Sequence, residues 1–278
     1  MTADQTERAN AFLALHQRAG AFVMPNPWDV GTARILAGLG FAALATTSAG
    51  LAFALGRRDG EGAVSRDEAL AHARTIVDAT PLPVSADLEN GYGAAPETVA
   101  ETVRLAAEVG LVGCSIEDAS GDPARPIYDL VQAVERVGAA AEAARSLPFT
   151  FVLTARAENF LYGRPDLDDT IRRLQAFEAA GGDVLYAPGL RELATIRTVC
   201  QAVGKPVNVI MGLAGAPFSV DDLAAAGVRR ISLGSALPRA ALGAFLRAAR
   251  EVRERRTFTF AADAAAFADL DPFMLGRS

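Results

Sequence analysis

Short apolar stretches alternate with longer amphipathic stretches, rich in alanine and leucine, along most of the chain. The apolar runs are nearly continuous, which is typical of strands buried on both faces, and the segments between them have helical periodicity. A helix is predicted at about 4–19, before the first strand. Eight strands are predicted, at 21–25, 41–47, 82–89, 111–117, 149–156, 183–188, 206–212 and 229–235.

Several predicted helices have recognisable ends. The sequences "SRDE" at 65–68 and "SVDD" at 219–222 are capping signals, which satisfy the free N–H groups of a first helical turn. Gly110, Gly181 and Gly204 suit the left-handed residue that ends many helices. The pattern therefore predicts a regular alternation of strands and helices.

Eight strand–helix units in 278 residues are the number that closes a (β/α)8 TIM barrel. The alternative is an open doubly wound sheet, which usually has fewer units and a glycine-rich turn after its first strand. That turn here reads "NPWDVG". No linker-like composition divides the chain, so we expect 1–278 to form one barrel domain with an N-terminal helix. The tail after Arg256 is predicted to be helical, packing either on its own barrel or on another subunit.

Composition narrows the class of protein. Hydrophobic residues make up 51% of the chain and the net charge is −6, which argues against a nucleic acid or an anionic membrane as a partner. Two cysteines are too few for a disulfide framework. The polar start "MTADQTERAN" and the lack of a long, purely apolar run favour a cytoplasmic protein without a membrane span.

Acidic residues stand at the ends of two adjacent predicted strands. Asp87 and Glu89 alternate to the same side of the third strand, and Glu117 ends the fourth. One such acid alone would more often be a helix cap or a rim charge facing water. Three together favour a hard cation, Mg²⁺ or Mn²⁺, because unpaired buried carboxylates are costly and oxygen ligands suit these ions.

Other polar groups follow the second and fifth strands. Arg156 ends the fifth strand, where it could hold a carboxylate or phosphate, or else form a structural ion pair with Glu158 or with the metal-binding acids. Ser48, Ala49 and Gly50 offer a hydroxyl and N–H groups that could bind an anion.

Some reaction classes lack their residues. Lys205, the one lysine, precedes the seventh strand, at the wrong end for a Schiff-base aldolase. His16 and His72 lie in helical segments, and Cys114 faces the helix layer by strand alternation.

Four segments follow one another along the chain, namely "TTSAGLAFALGRRDG", "SADLENGYG", "CSIED" and "LTARAENF". Together they resemble the isocitrate lyase/phosphoenolpyruvate mutase superfamily, and the resemblance covers most of the chain in the right order. It implies a (β/α)8 barrel with Mg²⁺, a small 2-oxo acid or dicarboxylate substrate, and cleavage or formation of C–C or P–C bonds through an enolate. It also implies a last helix exchanged between subunits of a homodimer or homotetramer.

The resemblance also assigns roles to residues. Asp87 would bind the metal directly, and the other metal-site acids would bind it directly or through water. Glu117 and Arg156 are the candidate catalytic residues. The metal site would comprise Asp59, Asp87, Glu89 and Glu117, and the substrate site Ser48, Ala49, Gly50, Asp87, Arg156 and Asn208.

Two departures from the superfamily pattern limit the activity. The lyase branch carries a "K-[KR]-C-G-H" loop where this chain reads "ASGDPARPIYD", and Pro188 stands where such lyases tend to have a glutamate. We therefore expect an Mg²⁺-dependent lyase-type enzyme that does not cleave isocitrate or methylisocitrate. Asp122 or Arg125 of the 119–129 loop could move over the site.

Two alternatives remain at this point. The first is a catalytically weak protein of the same fold that binds Mg²⁺ and 2-oxo acids. The second is an unrelated phosphate-binding barrel that uses "GLAGA" at 212–216 and "LGS" at 233–235.

Overall fold

The computed structural model describes residues 5–212 and 218–275. All eight predicted strands are present, and the (β/α)8 barrel is confirmed. The strands are β1 (Phe22–Met24), β2 (Leu44–Ala45), β3 (Val84–Asp87), β4 (Gly113–Glu117), β5 (Val152–Arg156), β6 (Val184–Tyr186), β7 (Val207–Ile210) and β8 (Arg230–Ser232).

Helices alternate with these strands. Most are amphipathic and bury one face against the sheet. They are α1 (Gln5–Gln17), α2 (Val30–Gly38), α3 (Ser48–Ala54), α4 (Arg66–Asp78), α5 (Pro96–Glu108), α6 (Leu130–Arg145), α7 (Leu167–Ala180), α8 (Leu193–Ala202), α9 (Val220–Ala225), α10 (Ala236–Arg250) and α11 (Phe267–Met274).

The sheet is parallel throughout and runs in the order β1-β8-β7-β6-β5-β4-β3-β2. Between its two edge strands, the Ala45 N–H donates to the Pro25 carbonyl at 3.1 Å. This bond draws β2 towards β1 and nearly closes the barrel. All strands therefore end at one rim, where barrel enzymes place their active sites.

Side chains on alternate strand positions build two separate cores. Residues facing outward, such as Cys114 and Ile116, pack between the sheet and the helices. Residues facing inward near the strand beginnings, such as Val152 and Val184, form a smaller core with the N-terminal helix. The polar inward positions are thus left for the rim at the strand ends.

Helix α1 closes the lower end of the barrel. Phe12 is fully buried there, and a Cβ at Gly113 would lie 3.0 Å from its Cε1 atom. Glycine at the start of β4 therefore allows the phenylalanine ring to enter the barrel.

The two C-terminal helices differ in what they cover. Helix α11 packs on α2 of the same chain, with the Phe273 ring against Gly38 and Arg34 Nη1 donating to the Met274 carbonyl at 2.9 Å. Helix α10 buries only Pro238, and its apolar residues Phe245 and Leu246 are exposed. The tail thus packs on its own barrel, whereas α10 leaves the barrel surface.

The predicted helix ends are mostly confirmed. Ser65 and Ser219 each form a capping box. Gly110 and Gly181 adopt φ of 92° and 108°. The prediction for Gly204 was wrong, because α8 ends two residues earlier in extended backbone and the Gly204 N–H donates to Glu178.

Within the described ranges, none of the helices combines the length and the apolar character that a membrane crossing requires.

Candidate active site

A central cavity of about 280 Å³ opens at the rim formed by the strand ends. Its volume suits a small acid, since a water molecule takes roughly 30 Å³ in the liquid. Six of the predicted site residues line it, namely Ser48, Ala49, Asp59, Asp87, Arg156 and Asn208.

Asp87, the last residue of β3, is at the centre of the polar contacts. Its Oδ1 accepts from Arg156 Nη1 at 2.9 Å, and its Oδ2 accepts from the Ser48 hydroxyl at 3.0 Å. Asp59 lines the same cavity from the loop after α3, where burial and the charge of Asp87 raise the pKa of its carboxyl. The two acids and the serine thus form one group.

Arg156, at the end of β5, is held by three carboxylates. Its guanidinium donates to Asp87 at 2.9 Å, and it forms ion pairs with Glu117 at 3.1 Å and Glu158 at 2.9 Å. The Tyr186 ring lies below it, 5.1 Å from the ring centre to the guanidinium carbon. The structural ion pair considered for Arg156 is therefore present, and each of the three guanidinium nitrogens contacts a carboxylate.

Glu89 and Glu117 line a neighbouring side cavity, not the central one. Strand alternation stops at Asp87, because β3 ends there and Glu89 is left-handed with φ of 48°. Tyr92 is also left-handed, with φ of 61°. Non-glycine residues in this conformation are uncommon and concentrate at functional sites. The "ENGYG" turn thus places Glu89 beside, rather than above, Asp87.

Five carboxylates lie close to Arg156, and three of them contact its guanidinium. We call Asp59, Asp87, Glu89, Glu117 and Glu158 the acidic cluster. Burial, then the negative charge of neighbouring acids, raises the pKa of Glu89 to about 7. Burial also raises the pKa of Glu117 well above its usual value, against the opposing effect of Arg156. One arginine is too little positive charge for this cluster.

This excess of oxygen ligands and negative charge fits a divalent cation. No three or more histidine, cysteine or acidic side chains within 5–212 and 218–275 stand ready as a joint ligand set. Mg²⁺ does not need one, because it usually binds proteins through one or two carboxylates and keeps several waters. Asp87 and its neighbours in the acidic cluster are suitable residues to hold it.

The Ser48–Gly50 segment begins α3. The Gly50 N–H donates to the Thr47 hydroxyl at 3.3 Å, and the Ser48 N–H faces Asp87 at 3.4 Å. Gly50 is buried outside the cavity lining, where a Cβ would lie 2.9 Å from that of Trp28. Because the Ser48 hydroxyl donates to Asp87, the Ala49 amide is the part of this segment that is placed for a ligand.

Two asparagines also line the cavity, one on β7 and one just after β1, the two strands that flank β8. Asn208 donates to the Ser232 hydroxyl at 3.0 Å and accepts from Arg230 Nε at 2.9 Å. Asn26, which the sequence did not single out, accepts from the N–H groups of Leu233 and Gly234 at 2.9 and 2.8 Å.

The Asn26 contacts weaken the phosphate-binding alternative. Two backbone N–H groups of the "LGS" segment already have a protein partner. The "GLAGA" segment lies outside the described residues apart from Gly212.

The reactive residue types lie away from the cavity. Cys114 is fully buried behind the sheet, and Cys200 is in α8. The described lining of the central cavity contains no cysteine, histidine or lysine. In the 119–129 loop, Asp122 and Arg125 pair with each other at 3.7 Å, and both are solvent-exposed.

Comparisons with known proteins identify the family of the chain. The chain matches the family model described as phosphoenolpyruvate phosphomutase over residues 12–253. A solved structure from Burkholderia cenocepacia J2315, provisionally described as a lyase/mutase, is 59% identical, with a TM-score of 0.94, and the match covers 97% of this chain and 96% of that one.

Two curated relatives are also similar. Oxaloacetate decarboxylase of Marinomonas sp. (strain MWYL1) is 26% identical over 91% of this chain and 88% of its own. The 2-methylisocitrate lyase of Escherichia coli (strain K12) is 32% identical over 60% of this chain and 58% of its own. The chain therefore belongs to the phosphoenolpyruvate phosphomutase family, within a superfamily of lyases and mutases.

Proposed function

We propose that this protein is an Mg²⁺-dependent lyase that cleaves a C–C bond of a small 2-oxo acid, with decarboxylation of a four-carbon 2-oxo diacid as the best-supported reaction. The observation that carries the proposal is the acidic cluster around Arg156, beside a cavity sized for a small acid. Mg²⁺, when bound there, supplies a Lewis acid that stabilises negative charge on the 2-oxo oxygen.

The chain's own residues bind and orient the substrate. The Ala49 amide is placed to donate to its first carboxylate, and the Ser48 hydroxyl holds Asp87 beside it. Arg156 lies beside the reacting end, and its ion pairs with Glu117 and Glu158 fix its orientation. Preorganised donors of this kind stabilise charge in a transition state without reorganising.

The cavity lining favours decarboxylation over cleavage of a hydroxyl-bearing substrate. When the bond between the carbon next to the ketone and the departing carboxylate breaks, its electron pair forms the enolate, and CO₂ leaves without needing a proton. The enolate carbon then takes a proton from water. A retro-aldol cleavage would also require a base for the hydroxyl proton. The described lining offers no histidine, cysteine or lysine for that step.

The experiment is a coupled assay for pyruvate release from oxaloacetate with Mg²⁺, run with wild type and Asp87→Asn. Free metal decarboxylates oxaloacetate slowly, so the rate without protein is subtracted. We expect chelation to abolish the wild-type rate and added Mg²⁺ to restore it. The proposal would be refuted if the wild type kept its turnover after chelation and the Asp87→Asn variant turned over at the same rate.

The weakly catalytic binding protein remains the second candidate, favoured by the same absence of histidine, cysteine and lysine from the described cavity lining. Calorimetry distinguishes the two. Mg²⁺-dependent binding of 2-oxo acids, with no turnover across a panel of them, would select the binding protein.

We also infer that α10 is exchanged between subunits of a homo-oligomer. The support is the exposed apolar surface of this helix, which includes Leu242, Phe245 and Leu246. An apolar face of this kind is typical of subunit interfaces. Light scattering should show a dimer or tetramer that Phe245→Glu converts to monomer; a monomeric wild type would contradict the inference.

A further inference from the structure

A second buried arginine lies at the bottom of the central cavity. Arg230, the first residue of β8, is 3% exposed and belongs to the cavity lining. Its neighbour on β7, Asn208, lies beside it in the parallel register. Together with Thr154 of β5, these two residues form what we call the cavity floor.

All the hydrogen-bond partners of Arg230 are neutral. It donates to Asn208 Oδ1 at 2.9 Å and to Thr154 Oγ1 at 2.8 Å. His16 Nε2 accepts from it at 3.4 Å. That nitrogen is an acceptor because Nδ1 of the same ring donates to the Phe12 carbonyl at 2.8 Å. No acid in the described part of the chain forms an ion pair with Arg230.

A buried charge without a counter-ion is costly, and proteins normally pair such charges. Arg136 is the other fully buried arginine that has no acid as a partner. It differs from Arg230 because it donates to the backbone carbonyls of Asn90, Gly93 and Ala94. It also lies outside the central cavity lining. A guanidinium has five N–H donors, and the three contacts of Arg230 leave two of them without a protein partner. Of the two arginines, Arg230 is the one that lines the central cavity, where a ligand could bind.

The central cavity therefore has two ends of opposite charge. At the rim, the acidic cluster exceeds the charge of Arg156, and a carboxylate contacts each of its three nitrogens. At the floor, the positive charge of Arg230 is not balanced by an acid of the described residues. A ligand complementary to both ends carries an anionic group that reaches the floor.

We propose that Arg230 is a specificity-determining residue that receives a second carboxylate of the substrate, so that the protein selects dicarboxylates over monocarboxylates of equal length. This rests on the proposed function only in taking the central cavity as the substrate site. Arg156, whose charge is already balanced by acids, is left to orient the 2-oxo end of the substrate at the rim.

The test compares binding of two non-reacting acids of equal length, malate and 2-hydroxybutanoate, which differ by one carboxylate. Calorimetry with Mg²⁺ should show wild type preferring malate by at least about tenfold, the size expected for a charge-assisted pair. Arg230→Met should reduce this preference to within about threefold. Arg230→Lys, which keeps the charge, should retain part of it.

Two arginines provide matched controls. Arg229 is adjacent in sequence and bonds the Gly20 carbonyl outside the barrel, and Arg191 lines the cavity but is exposed. Arg229→Met and Arg191→Met should both keep the preference for malate. A preference that survives Arg230→Met, or that is lost in Arg191→Met instead, would overturn the proposal.

A crystal structure of the wild type with malate covers the case in which Arg230→Met does not fold. A malate carboxylate within hydrogen-bond distance of Arg230 supports the proposal, and malate bound only at the rim contradicts it. Because neither measurement involves turnover, a protein that proves catalytically inactive could still show the Arg230-dependent preference. Conversely, a true decarboxylase could lack it.

Discussion

The acidic cluster and the cavity floor each contain a buried arginine, but the two arginines have different surroundings. Arg156 is surrounded by carboxylates, and Glu158, Glu117 and Asp87 raise its pKa well above the ordinary value despite burial. Arg230 has neutral partners, and burial lowers its pKa to about 9. The same residue type can thus balance protein charge at one site and remain available to an anion at another.

The largest effect should follow loss of one charge from the acidic cluster. Asp87→Asn keeps the shape of the side chain but weakens any cation site there, so we expect turnover to fall by roughly 10³-fold. Steady-state kinetics with Mg²⁺ measures this. Asp78→Asn, in the exposed Arg74–Asp78 pair, is the control and should leave turnover unchanged. If the Asp87→Asn enzyme stayed fully active, the acidic cluster could not be the site that holds the cation.

A smaller effect should come from the ion pair behind the cluster. Asp118 is buried, accepts from the Glu158 N–H at 2.8 Å and pairs with Arg173 at 3.0 Å. Asp118→Asn should lower the free energy of unfolding by about 3 kcal/mol, because it leaves Arg173 buried with less counter-charge. Denaturant unfolding tests this. Asp122→Asn, in the exposed loop pair, should cost less than about 0.5 kcal/mol, and equal losses would contradict the burial argument.

The floor should show a pH dependence of its own. Burial, then the charge of Arg230, lowers the pKa of His16 to about 3, whereas an unfolded histidine titrates near 6.5. His16 therefore stabilises the fold fully above pH 6.5, and this contribution is lost as the pH falls from 6.5 towards 3. At pH 5 the loss is about 2 kcal/mol.

Unfolding curves of wild type and His16→Asn between pH 5 and 8 isolate this contribution. The variant should lose less stability than wild type on acidification. Parallel pH profiles would show that His16 does not contribute this pH dependence of the stability.

The smallest effect should come from a residue outside both regions. Cys114 is fully buried in the core between sheet and helices. Cys114→Ala should cost about 1 kcal/mol of stability through lost packing and leave turnover unchanged. A large loss of turnover at unchanged stability would mean that thiol chemistry contributes after all.

The sequence predicted the barrel because periodicity and helix-capping signals report local structure directly. It was less accurate at strand ends: the predicted strand at 41–47 is only Leu44–Ala45, and alternation did not extend from Asp87 to Glu89. The left-handed turn after β3 depends on backbone angles that side-chain patterns do not encode.

Arg230 of the cavity floor was missed for a related reason. "RRIS" places either Arg229 or Arg230 inward, depending on a register that a shift of one residue reverses. Ser232 faces the cavity, and the residue two positions earlier is Arg230, so alternation could have identified it once that register was known. Asn26 gave no such signal, because its bonds to β8 join residues more than 200 positions apart in the chain.

Because helix α1 closes the lower end, the barrel interior opens only at the rim. With Phe12 and its neighbours closing the lower end, substrate and both products must pass through the rim. A cleavage reaction in such a blind-ended chamber imposes an order of departure: the fragment nearer the rim leaves first, and the one against Arg230 leaves last. The last fragment out should then compete with incoming substrate for the empty enzyme.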